Sequence, residues 1–196
     1  MPLMPRWMPD ARERLVGAAI QLFSEQGYDA TTVSQIAERA GLTRSTFHRH
    51  FGDKRDVLAA GQDMLAGLLR DGAVRAPAGS TPLAAVESAL LAAAGAMTPD
   101  MRERGSRMHA VIAASAELRE RDQLKHVGLA AALAEALQER GIGPRVAEVA
   151  AEMGLLAFKN AYALWIEQPD AEDAPPLEDL VRDELDALRT ALGDLD

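Results

Sequence analysis

Residues 32–54, TVSQIAERAGLTRSTFHRHFGDK, read as two short helices joined by a tight turn, with a third helix starting at once. Thr32 followed by Gln35 is a capping box, in which hydroxyl and amide side chains satisfy the orphan amides of a helix start. Val33, Ile36, Ala37 and Ala40 then fall on one face at helical spacing. Gly41 ends the helix, because the chain must turn through a left-handed residue that only glycine adopts cheaply. Ala37 lacks bulk and lets the next helix cross closely, while Leu42 plugs the corner. Thr43 caps the second helix, whose first turn presents Arg44, Ser45 and Thr46 outward. Phe47 and Phe51 hold its back to a core, Asp53 caps the helix that follows, and Lys54 lies in that helix's first turn.

A helix start offers free amides and a partial positive charge to a phosphate oxygen, and a lysine beside it adds a full charge. Arg44, His48, Arg49, His50 and Lys54 thus form a cluster of donors around one exposed short helix. Charged faces are often only solvated faces. Here the cluster coincides with two caps, a turn glycine and a small residue at the crossing, the layout of a helix-turn-helix that reads DNA.

Residues 12–58 resemble the DNA-binding domain of the tetracycline-repressor (TetR) family of regulators. The resemblance rests on Phe23, Gly27, Tyr28, Thr31, Thr32, Val33, Ile36, Ala37, Ala40, Gly41, Thr46, Arg49, His50, Phe51 and Lys54, and covers about a quarter of the chain. His48 departs from it, standing where the family usually carries a tyrosine that contacts a phosphate. A histidine also donates a hydrogen bond, with shorter reach and pH-dependent charge.

Composition agrees. The chain of 196 residues has no cysteine, so disulfides, thiolate metal sites and cysteine nucleophiles are excluded. The start, MPLMPRWMPD, lacks the apolar run of a signal peptide, and no segment reaches the length of a membrane helix, so a soluble, cytoplasmic protein is expected. Residues 1–10 read as a flexible arm; Arg6 and Arg12 are candidates to reach an adjacent minor groove, with plain disorder the preferred reading for Arg6. The net charge of −9 looks wrong for a nucleic-acid binder. It resolves on division: residues 1–60 balance at +1 and residues 61–196 at −10. So weakly basic a head implies few phosphate contacts per copy, and useful affinity asks for a dimer.

The remainder reads as helical throughout, and the fold class is all-α. Residues 1–55 form a three-helix helix-turn-helix domain, and residues 56–196 a helical ligand-binding and dimerisation domain. One long helix is expected from Lys54 to about Val74, with Gly61 and Gly67 weakening it by roughly 1 kcal/mol each. Residues 76–82, APAGSTP, form a linker between helices. Helices follow over Leu83–Met97, ended by Thr98-Pro99, then Met108 to about Ser115, Leu118–Arg140, Arg145–Glu167 and Leu177–Leu192. The last two carry apolar stripes that fill the monomer core, a dimer interface, or both.

The resemblance implies a homodimer through residues 145–167 and 177–192, and a small-molecule inducer held by the larger domain. Met64, Met97, Met108, His109, Met153, Phe158, Asn160, Tyr162 and Trp165 are the candidate lining, since methionine and aromatic side chains suit adaptable apolar sites. Such residues at helical spacing more often fill a core. His109, close to Val111 and Ile112, reads as a core histidine before a ligand contact.

No glycine-rich phosphate loop, Gly-x-Ser-x-Gly elbow or paired histidines with a nearby acid occur, and His48 and His50, two apart, cannot chelate one metal. Neither enzyme activity, cofactor nor metal is expected. The reading is a homodimeric DNA-binding repressor released by a small molecule. Its alternatives are an activator, or a helical adaptor using the same head for protein contacts. Two recognition helices would enter successive major grooves of a pseudo-palindromic double-stranded operator. Arg44 would read guanine, with Ser45 and Thr46 as second base contacts. Thr32, His48, His50 and Lys54 would hold the backbone, and Thr43 and Arg49 complete the DNA-facing set. Ligand binding would move the helix that begins at Lys54.

Overall fold

The computed structural model describes residues 10–168 and 174–194, and every regular element among them is helical. Arg6 and the rest of the expected arm up to residue 9 lie outside the described residues. Asp10, counted with that arm, instead caps the first helix, its carboxylate accepting the Glu13 amide at 2.8 Å. The helices are α1 (Ala11–Gln26), α2 (Val33–Arg39), α3 (Arg44–His50), a 3-10 helix (Lys54–Ala59), α4 (Gln62–Arg75), α5 (Pro82–Ala94), α6 (Pro99–Ala114), α7 (Ala116–Glu139), α8 (Pro144–Glu167) and α9 (Leu177–Gly193). They divide into two compact units.

The first unit runs to Ala60 and takes in Arg107–Asp122. Its core joins Leu15, Ala19, Leu22 and Phe23 of α1 to Ile36 and Ala37 of α2 and to Phe47 and Phe51 around α3. Val57 and Leu58 are buried in the same core, and the first stretch of this unit runs to Ala60. Val111 and Leu118 complete it, so the end of α6 and the start of α7 belong to the head. Arg12 is part of α1, its guanidinium 5.5 Å from the Phe51 ring centroid, and does not continue an arm.

The expected single helix from Lys54 to Val74 is two elements. The 3-10 helix ends at Ala59, and Gly61, at φ +85°, turns the chain into α4. That conformation suits glycine and breaks a helix ladder. The helix expected from Met108 begins nine residues earlier, at Pro99. Proline ends a preceding helix, but its fixed φ and missing amide also suit a first helical position. The Thr98 hydroxyl accepts the Met101 amide at 3.3 Å there.

The second unit comprises Gly61–Ser106 and Gln123–Asp196. Small residues let its helices approach closely: a Cβ on Gly72 of α4 would fall 2.7 Å from the Ala89 Cα of α5. Ala85, Ala89, Ala93, Ala147, Ala151 and Ala157 fill much of the interior, with Leu133 and Leu137 of α7 among them. Gly141 (φ +83°) ends α7, and the Ile142 amide closes back on the Leu137 carbonyl. α9 buries Leu177, Val181 and Leu185 in this core and turns its charged side outward.

Candidate nucleic-acid interface

The head is held by local devices at each corner. Thr32 and Gln35 form a reciprocal box: the Thr32 hydroxyl accepts the Gln35 amide at 3.3 Å, and the Gln35 side-chain oxygen accepts the Thr32 amide at 2.8 Å. After α2 the Gly41 amide donates to Glu38 and the Leu42 amide to Ala37, at 2.9 and 2.8 Å, a Schellman closure that puts Gly41 at φ +64°. Arg14 reaches across from α1 and donates to the Ala40 carbonyl at 2.5 Å, satisfying an acceptor the helix end leaves open. Arg39 clasps Glu25 with two hydrogen bonds, at 3.0 and 2.8 Å, and these hold the Glu25 carboxyl below its ordinary value.

α3 is the exposed element. The Thr43 hydroxyl accepts the Thr46 amide at 3.1 Å, and Phe47 is fully buried behind. Arg44, Ser45, His48, Arg49 and His50 are exposed, with Thr46 half-buried. Arg44 and His48, one turn apart, are joined by an Nε to Nε2 hydrogen bond of 3.4 Å, and His48 meets Phe47 edge-on. The structure therefore brings Arg44, Ser45, His48 and Arg49 onto one solvent-facing side of a pinned helix. Thr32 is exposed at the start of α2.

Lys54 is placed differently. Its ammonium donates to the carbonyls of Tyr28 at 2.7 Å, Thr31 at 2.9 Å and Asp29 at 3.4 Å, and lies 4.1 Å from the Tyr28 ring centroid. An ammonium has three donors, and three carbonyls occupy them. Its own amide is capped by Asp53, in a box that Asp56 completes. Tyr28 is buried, and its hydroxyl donates to Glu117 at 3.2 Å. Burial first, then the Glu117 charge, pushes the phenol well above its ordinary value. Arg121 pairs with Asp56 at 3.2 Å. Sequence reading passed over Arg14, Glu117 and Arg121, for no local motif announces a partner 26 or more residues away.

The pocket candidates fall in both units. Met64 is half exposed on α4, and Met97 packs on the core after α5. Met108 belongs to the first unit, against its core. His109 is exposed, contrary to the core role expected: two residues from Val111 on a helix, it faces away from the side that Val111 buries. Phe158 and Trp165 are buried, with Tyr162 stacked on Phe158 at 6.3 Å and tilted against Trp165 at 5.8 Å. Asn160 is exposed and donates to Glu184 at 3.1 Å. Met153 lines an apolar groove of about 520 Å³ with Val146, Val149 and Leu83.

Residues 15–60, the span from α1 through the 3-10 helix, match the family model "Bacterial regulatory proteins, tetR family". The match covers the head alone, about a quarter of the chain. It is 40% identical over 98 residues to the HTH-type transcriptional regulator TcmR of Streptomyces glaucescens, covering 47% of this chain and 41% of TcmR. It is 43% identical over 54 residues to the regulator HbdR of Aromatoleum sp., covering 28% and 24%. The chain thus spans under half the length of these curated relatives. The fold extends further: a TetR-family structure from Syntrophomonas wolfei superposes with a TM-score of 0.62 at 18% identity, covering 93% of this chain and 94% of that one. Among the described residues no cluster of His, Asp or Glu is placed to hold a metal, and no helix is long and apolar enough to cross a membrane.

Proposed function

We propose that this chain is a homodimeric TetR-family repressor that binds a pseudo-palindromic operator through α3 and is released by a small-molecule inducer. The observation that carries the reading is α3 itself: capped by Thr43, pinned by Phe47, and presenting Arg44, Ser45, His48 and Arg49 to solvent. Arg44 matches the two acceptors of guanine, Ser45 and Thr46 make further base contacts, and Thr32, Thr43, His48, Arg49 and His50 engage the backbone.

Support for the dimer comes from α8. Val146, Val149, Leu156 and Leu164 are each more than two-fifths exposed at helical spacing, with Met153 half-buried among them. α9 has most of its apolar stripe buried within the monomer and adds Leu192, so the seam leans on α8. An isologous interface of this kind places two heads for two half-sites.

The inducer site belongs to the second unit, where a Cβ on Gly105 of α6 would fall 2.1 Å from the Tyr162 hydroxyl of α8. A ligand displacing Tyr162 would release this packing of α8 on Gly105. The experiment is selection from random duplex DNA: one recovered pseudo-palindrome bound by a dimer supports the reading, and sequence-independent binding contradicts it.

A further inference from the structure

We propose that Lys54 is a positioning residue for DNA binding: its ammonium clamps the α1–α2 turn and makes no phosphate contact of its own. The inference rests on the reading of α3 as the DNA-reading helix. A lysine at the start of a helix beside that element looks like a phosphate donor, but all three of its donors are taken, by the carbonyls of Tyr28, Asp29 and Thr31. The Tyr28 ring covers it at 4.1 Å. Turning outward would strip those carbonyls of their partner and give up the cation–π contact.

Both jaws of the clamp are anchored. On one side Lys54 leaves the capping box of Asp53 and Asp56, and Arg121 holds Asp56. On the other, the Tyr28 hydroxyl is fixed by Glu117. What lies between them is the turn that delivers Thr32 to the start of α2, and α2 packs directly on α3. The clamp thereby sets the angle at which α3 is presented.

The chain has three lysines, Lys54, Lys125 and Lys159, which makes reductive methylation of the wild-type protein a direct test. Lys54 is expected to react about tenfold or more slowly than exposed Lys159, and a selected operator should add no protection. In parallel, Lys54→Gln, confirmed folded by circular dichroism, should lose about tenfold in operator affinity with an unchanged dependence of log K on log salt. Arg49→Ala should make that slope shallower by about one unit. Lys54 reacting as fast as Lys159 and becoming protected by operator overturns the proposal. So does a shallower slope in Lys54→Gln, or full operator affinity in that variant. If the variant does not fold, the methylation rates still decide. If the wild type selects no operator, the DNA-binding reading fails instead, and the free-protein reactivity of Lys54 distinguishes that failure from this one.

Discussion

The Tyr28 hydroxyl donates to Glu117 at 3.2 Å, tying the turn after α1 to the first residues of α7 across 89 positions of sequence. Tyr28→Phe keeps the ring over Lys54 and deletes only this bond. The expected cost is about 1–2 kcal/mol of stability, since the acceptor is charged and the donor buried. Chemical denaturation of the two proteins measures it, and equal midpoints would contradict the pairing.

The same contact carries a pH signature. The folded phenol titrates above its ordinary value of 10.0, because burial and Glu117 disfavour the phenolate. A group whose folded value is raised contributes stability that is complete below the unfolded value and is lost as pH rises toward the folded one. The wild-type Tm should therefore fall more steeply than that of Tyr28→Phe above about pH 10, and the two curves should run parallel below it. Parallel curves throughout would contradict the raised value.

Gly41 is the second structural test. At φ +64°, with Arg14 2.9 Å from where a Cβ would sit, alanine there meets both backbone strain and a neighbouring guanidinium. Gly41→Ala should cost about 1–2 kcal/mol. Gly143, with nothing near its Cβ position and no positive φ, serves as the control and should tolerate alanine better.

Much of the head was legible because its devices are local. Thr32 with Gln35, Thr43 and Asp53 act on amides within three residues, and Gly41 closes α2 through bonds spanning three and five, so their spacing states their role. Lys54 was not legible in the same way. Its type and position suggest a free donor, and only the chain's return through Tyr28 and Thr31 shows where the ammonium goes. Pro99 misled for a different reason: proline marks both the end of one helix and the start of the next, and the polar residues after it hide the continuation of α6. The break at Gly61 was visible only as a weak point, since a glycine's left-handed φ is set by what surrounds it.

For the dimer, Val149→Glu on the exposed face of α8 should shift the protein toward monomer in sedimentation and weaken operator binding in step. Val127→Glu, equally exposed on α7, should do neither. The reverse pattern would move the interface off α8.

Base reading rests on Arg44. Arg44→Ala should lose about 1–3 kcal/mol on the preferred operator and relax preference at one base pair in each half-site. Unchanged relative affinities across operator variants would remove Arg44 from that role.

The most direct measurement is selection of the wild-type protein on random-sequence duplex DNA at fixed salt, followed by footprinting of the recovered sites. The account predicts one pseudo-palindromic sequence whose half-site centres lie about 34 Å apart, one helical turn, each protected in the major groove. Recovery of unrelated sequences bound equally well would contradict it.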